Sequence, residues 1–164
     1  MKRIIDILSI FVAVVLMSVS CEDNRLDGMC DDQVYFLNSG SEQIVNVSIR
    51  DYADFSFTVY KSGIGQTAAS VDVVVDEELL ERLNGANGTA YKLLDENCYT
   101  IRDTHFDFAA EDVSFSSNIE FDGQAINVFQ GLAKKEHVLP LSLRSTGKVN
   151  EKLGYILLVP VLEK

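Results

Sequence analysis

The chain has 164 residues, with 14 Lys and Arg against 25 Asp and Glu and a formal charge of −11. Nucleic-acid binding needs Lys and Arg to replace counterions, so this balance excludes nucleic acid as a partner. The acidic residues are scattered rather than blocked, which reads as solubility, and the length suits one ordinary domain with a buried core.

The chain opens with the basic residues Lys2 and Arg3, an apolar run from Ile7 to Met17 broken only by Ser9, and the short residues Ser18, Val19 and Ser20 before Cys21. That is the layout of a secretory signal ending at a cysteine. The expectation is a bacterial lipoprotein: residues 1–20 are a signal peptide, Cys21 carries the lipid, and the partner so implied is a membrane. Two alternatives stay open, a plain secretory signal with a chance cysteine and a transmembrane anchor. The apolar run is about half of the roughly 20 residues that a spanning helix needs. Removing residues 1–20 takes away Lys2, Arg3 and Asp6 and leaves 12 basic against 24 acidic residues, a formal charge of −12. Residues 21–32 then read as an acidic tether, with Glu22, Asp23 and Asn24 directly after the cysteine.

From residue 33 to 164 the pattern is that of short strands. Gln33–Leu37 comes first. Ile44–Ile49 alternates Ile44, Val45, Val47 and Ile49 with Asn46 and Ser48, and Phe55–Tyr60 alternates Phe55, Phe57 and Val59 with Ser56 and Thr58. Lys61-Ser62-Gly63 reads as a turn, and Ser70–Val75 as a Val-rich strand. The period then changes. Asp76 is a good N-cap, Glu77 and Glu78 suit a first helical turn, and Leu79, Leu80 and Leu83 share a face, so a helix of about two turns is expected up to Asn84-Gly85. Strand signals resume at Ala90–Leu94, Tyr99–Ile101, Asp112–Phe115, Ala125–Phe129, His137–Leu143 and Tyr155–Leu162. Pro140 cannot donate a ladder hydrogen bond, so an edge or a bulge is expected there. Many short strands with one short helix predict an all-β sandwich.

The order of certain stretches carries more. Val34-Tyr35-Phe36, Asp51-Tyr52 and Phe55-Ser56-Phe57-Thr58-Val59-Tyr60-Lys61-Ser62-Gly63 come first. Val71-Asp72-Val73-Val74-Val75-Asp76-Glu77-Glu78-Leu79-Leu80, Asn84 and Asn87-Gly88-Thr89-Ala90-Tyr91 follow, then Leu93-Leu94, Cys98-Tyr99 and Val138-Leu139-Pro140-Leu141. This set resembles the immunoglobulin-like domain of unknown function that begins many Bacteroidetes surface lipoproteins. The resemblance implies an immunoglobulin-like β-sandwich in a glycan-utilisation setting, where such domains often precede a lectin-like module or a glycoside hydrolase. It also implies an outer-membrane, cell-surface address, and Glu22, Asp23 and Asn24 resemble an export tag to that surface. Two departures stand out. The sequence ends after this domain, so no catalytic or lectin module is expected to follow, and Asp95 stands where relatives usually have Pro.

Chemistry-bearing motifs are few. Gly63-Ile64-Gly65-Gln66-Thr67-Ala68 matches a dinucleotide pattern, but a strand follows it where a helix N-terminus is required, so no cofactor is expected. His105 lies between Asp103 and Asp107, which an extended segment points to one face; an ordinary polar strand face is the favoured reading. His137 reads as an edge residue. No nucleophile elbow is present, and the acid pairs come without a cleft, so no enzyme activity and no metal site are expected, with calcium at a loop end left open. Cys30 and Cys98 are the remaining cysteines, and their pairing is left open. The chain has no Trp, so a sugar platform falls to tyrosines where strands meet turns: Tyr52, Tyr91 and Tyr99.

The functional expectation is a lipid-anchored, non-catalytic surface accessory of a glycan-binding or glycan-uptake system, meeting glycan or other surface lipoproteins. The alternative is a structural or adhesive module that works by protein–protein contact, for instance by strand addition, with no small ligand. The anchor is directly testable. Cys21→Ala is expected to abolish acyl labelling and release the protein from membranes; unchanged membrane retention of that variant would refute lipidation at Cys21.

Overall fold

The structure is a computed structural model that describes residues 32–37, 43–62, 67–130 and 137–163. The signal peptide, Cys21, the tether up to residue 31, Cys30 and the first four residues of the glycine-rich motif lie outside the described residues. No helix among the described residues is long and apolar enough to cross a membrane.

Eleven strands and two α-helices are described, in the order β1 (Gln33–Phe36), β2 (Ile44–Ile49), β3 (Tyr52–Ser62), β4 (Ala69–Val75), α1 (Glu77–Asn87), β5 (Lys92–Leu93), β6 (Tyr99–Ile101), β7 (His105–Phe108), β8 (Ser114–Asp122), α2 (Gly123–Gln130), β9 (His137–Ser145), β10 (Lys148–Val149) and β11 (Tyr155–Leu162). They form the expected all-β sandwich. One sheet runs β10-β1-β3-β8-β6 and the other β2-β11-β9-β4-β7, with β5 also paired to β9. Most neighbours are antiparallel, while β1 with β10, β2 with β11 and β5 with β9 run parallel.

Alternation along each strand decides which side chains enter the space between the sheets. From the five-stranded sheet come Val34, Phe36, Phe57, Val59, Ile119 and Phe121; from the six-stranded sheet come Val71, Val73, Phe106, Phe108, Leu139, Leu141, Ile156 and Leu158, all buried. Phenylalanines link the layers. Phe36 meets Phe57 edge-on at 5.8 Å, Phe57 meets Phe106 at 6.5 Å, Phe106 stacks on Phe115 at 5.9 Å, and Phe115 meets Phe108 at 4.8 Å. Edge-on and offset pairs of this kind add to what their burial contributes. At the end of this line Lys61 points inward from β3. Its Nζ donates to the carbonyls of Thr67 (2.8 Å), Ala109 (2.7 Å) and Ala110 (3.0 Å), which uses all three ammonium protons. The expected turn at Lys61-Ser62 is therefore the last stretch of β3.

Several elements differ from expectation. Ala125–Phe129 is helix, not strand. Asp122 ends β8 and its Oδ1 accepts from the amides of Gln124 (2.9 Å) and Ala125 (3.0 Å), which caps α2. Only Ile126 of that helix is buried in the core, while Val128 faces solvent, so no two-residue alternation is served. Gly123 begins the helix against the β2–β3 turn; a Cβ there would lie 2.6 Å from the Arg50 carbonyl oxygen. Helix α1 runs past Asn84-Gly85 to Gly88, whose φ of 64° makes it the left-handed cap. A short strand at Lys148–Val149 is additional to those expected, while His105–Phe108 is the strand that the polar-face reading of His105 implies.

Pro140 is on neither an edge nor a bulge. It lies inside β9, in register with Leu157 of β11. The carbonyls of Val138 and Pro140 point away from β11, accepting from Leu94 and Asp76 respectively. A residue's N–H points the same way as its carbonyl in a strand. The missing donor of Pro140 therefore falls where β4 has just turned into α1 and β5 has not yet begun, and no ladder bond is lost.

Phe57 sits at the crossing of the two sheets and is fully buried. Phe57→Ala is expected to lower the unfolding free energy by about 3–5 kcal/mol, measured by urea titration of the purified chain.

Candidate functional site: a cleft beside helix α1

The outward face of the six-stranded sheet is partly covered. Leu80 of α1 packs with Val138, Leu157 and Val159 of the sheet, with Leu83, Tyr91 and Leu93 against them. This second, smaller core exists because β9 and β11 carry apolar residues on both faces, as a strand covered on both sides must. Asn84 fastens the far end of the helix: its Nδ2 donates to the Tyr91 carbonyl (2.8 Å) and its Oδ1 accepts from the Tyr91 amide (2.9 Å) and the Thr89 hydroxyl (2.8 Å).

At the near end Asp76 does two things. Its Oδ1 caps α1 by accepting from the Leu79 amide at 2.9 Å, and its Oδ2 accepts from the Ser142 hydroxyl of β9 at 2.7 Å. The helix start is thus fixed onto the sheet. Beside it opens a cleft of about 560 Å³, with Asp76, Leu79 and Arg82 on the helix side. Ser142 and Arg144 of β9, Tyr155 of β11, and Asn150 and Glu151 from the segment between β10 and β11 also line it. Tyr155 and Ser142 are in register on adjacent strands, so both project to the face that α1 covers.

The lining groups divide into two sets. Asn150 is engaged in building the wall: its Oδ1 accepts from the amides of Lys152 (3.0 Å) and Leu153 (2.9 Å), and its Nδ2 donates to Gln33 (3.0 Å). Asp76 and Ser142 hold each other. The side chains of Arg82, Arg144, Glu151 and Tyr155 make no hydrogen bond or ion pair with another described residue. The Asp76 carboxyl lies below the usual carboxylate range. Burial alone would raise it, but the Leu79 amide, the Ser142 hydroxyl and the charges of Arg144 and Arg82 together outweigh burial.

The three tyrosines expected at a ligand site do not share a surface. Tyr52 opens β3 opposite Asp122 on the outer face of the five-stranded sheet and is 70% exposed. Tyr99 is in register with the buried Phe121 and packs against the main core; burial, then Glu96, Asp95 and Cys98, push its phenol up. Tyr91 packs in the small core under α1. The aromatic ring of the cleft is Tyr155, which sequence reasoning treated only as the start of a strand. The signal for it is the alternation that puts Ser142 and Arg144 on one face of β9; the helix that turns this face into a cleft wall is visible only in the fold.

His105 is held between two acids, with Nδ1 2.7 Å from Asp72 and Nε2 3.3 Å from Asp107. The Asp72 hydrogen bond raises its pKa; desolvation opposes this and Asp107 adds to the rise. The backbone amide of Asp103 donates to Ser117 Oγ at 2.9 Å. No cluster of three metal-ligating side chains occurs among the described residues. Cys98 is a buried thiol, pushed up by burial and then by Asp95 and Asp122.

A family model described as a "-like, N-terminal domain" matches residues 30–150. The chain belongs to this family of N-terminal domains. No curated protein matches it. Among solved structures it is similar to a Bacteroides ovatus protein described as a "putative carbohydrate binding protein", at 18% identity and a TM-score of 0.60, covering 79% of this chain and 36% of that one. It is similar to a Bacteroides ovatus protein of unknown function at 19% identity and a TM-score of 0.61, covering 79% and 44%. A third is EndoBT-3987 of Bacteroides thetaiotamicron, solved with a Man5GlcNAc product, at 16% identity and a TM-score of 0.55, covering 79% and 30%. The likeness to these structures is one of fold, and the chain spans less than half the length of each.

Asp76 gives the cleft a pH dependence with a definite sign. Its folded pKa is depressed, so its stabilising contribution is present above the unfolded value of about 3.9 and is lost as pH falls through the folded value. Asp76→Asn is therefore expected to be less stable than the parent at pH 6, with the gap closing in stronger acid. Urea titrations of both proteins across that range measure it.

Proposed function

We propose that this chain is a non-catalytic, glycan-binding accessory module, held at the cell surface by lipid on Cys21, and that the cleft beside α1 is its sugar site. The observation that carries the reading is the meeting in one open cleft of an aromatic ring, two guanidinium groups and a carboxylate, all with unused hydrogen-bonding capacity. Sugars are bound by such sets: the ring packs on the apolar face of a pyranose, and planar donors and acceptors take its hydroxyls. Membership of the N-terminal-domain family and the fold likeness to a protein described as carbohydrate-binding support this reading.

The acids of the cleft favour binding over hydrolysis. A glycosidase needs one carboxylic acid kept protonated near neutral pH. Asp76 is displaced the opposite way, and both its oxygens already accept bonds. Glu151 is exposed on the rim, where water solvates the carboxylate. Tyr52 offers a second open ring on the other sheet, too far around the sandwich to serve the same sugar, while Tyr91 and Tyr99 support the walls and core.

An open cleft buries little of a sugar, so affinity is expected in the high-micromolar to millimolar range, about 4–6 kcal/mol. Calorimetry of the purified chain against glycans chosen from an array screen tests this. Tyr155→Ala is expected to weaken binding at least about fivefold, close to 1 kcal/mol, with Tyr52→Ala as the comparison. Loss of binding in Tyr52→Ala but not in Tyr155→Ala would move the site to the other sheet.

A further inference from the structure

Four arginines lie among the described residues, and they are used in two ways. Arg50 pairs with Glu163 at 3.0 Å and Arg102 with Glu120 at 3.2 Å. Arg82 and Arg144 have no ion pair within the described residues, and both line the cleft, one from α1 and the other from β9. They approach it from separate elements, so the fold and not local sequence brings them to one place. Asp76, the carboxylate on which their charges act, has both oxygens engaged by the Leu79 amide and the Ser142 hydroxyl.

A guanidinium is a planar fork of donors that fits a carboxylate with two parallel hydrogen bonds. With Arg82 and Arg144 set against Asp76 and Glu151, the cleft lining is formally neutral in a chain of formal charge −11. Such a chain repels anions at long range, so an anion that binds must be held by contacts in the site. Glu151 also lines the cleft. It repels a carboxylate placed near it and accepts hydrogen bonds from sugar hydroxyls, which sets the direction in which an acidic sugar lies.

We infer that the cleft takes the carboxylate-bearing residue of an acidic glycan, a uronate or a sialate, with Arg82 and Arg144 on the carboxylate and Tyr155 against the sugar ring. This rests on the reading of the cleft as a sugar site. The test is calorimetry of the purified chain at low salt with two acidic probes and their neutral counterparts: trigalacturonate against its carboxyl-reduced form, and sialyllactose against lactose. One acidic probe is expected to bind about tenfold tighter than its neutral counterpart, equivalent to about 1.4 kcal/mol, and which one does so separates a uronate from a sialate. The preference is expected to disappear in Arg144→Gln and in Arg82→Gln, with circular dichroism unchanged. Glu151→Gln is expected to increase the preference for the acidic probe over its neutral counterpart. Equal binding of acidic and neutral probes, or a preference that survives both arginine variants, overturns the inference and leaves the sugar site standing. Absence of binding to every probe and to the glycan array overturns both.

Discussion

The line of phenylalanines between the sheets is the constraint on which the rest depends. Phe36 and Phe57 come from one layer, Phe106 from the other, Phe115 from the first again and Phe108 from the second. Because the rings alternate between layers, neither sheet keeps its inner face dry alone. The long β3–β8 ladder, from Tyr52 with Asp122 to Tyr60 with Ser114, supplies Phe57 and Phe115 at a fixed register. A slip of one residue would exchange these rings for Ser56 and Ser116 and empty the core. Lys61 closes the end of this line with an ammonium whose three protons all meet backbone carbonyls, the condition under which a buried charge is tolerated.

With the inner faces committed to each other, the outer face of the six-stranded sheet is where a cleft opens. Leu157, Val159 and Val138 make part of that face apolar, and α1 covers it with Leu80. Asp76 controls how. One carboxylate oxygen starts the helix and the other grips Ser142, so the helix leaves the sheet at a set point and cannot settle over Ser142 and Arg144. The cleft is what this incomplete covering leaves. Pro140 belongs to the same junction: β4 gives way to α1 beside it, so its lack of an N–H is harmless there.

Charge is distributed unevenly for the same reason. The outer face of the five-stranded sheet is a polar surface of Tyr, Ser, Thr and acidic residues, and two of the described arginines are consumed in exposed pairs that contribute little to stability. The other two, Arg82 and Arg144, border the cleft without an ion pair among the described residues.

By itself the sequence determined what local chemistry dictates. Two-residue alternation in Ile44–Ile49 and Phe55–Tyr60 marked strands and their inner faces, and Asp76 with Leu79, Leu80 and Leu83 marked the helix and its buried side, because periodicity and capping act over a few residues. Where several strands compete for one residue, the sequence alone was insufficient. Ala125–Phe129 has strand-like composition, yet Asp122 caps it into a helix and the close approach of Gly123 to the Arg50 carbonyl holds it there. Tyr52, Tyr91 and Tyr99 look alike in sequence, each where a strand meets a turn, and the fold sends them to an open surface, a small core and the main core. Arg82 is far along the chain from Arg144 and Tyr155, which the β9–β11 ladder places close together, and none of the three carries a motif. Only the packing of α1 against β9 and β11 brings Arg82 beside the other two, because proximity between residues on different elements is set by long-range contacts that no local pattern encodes.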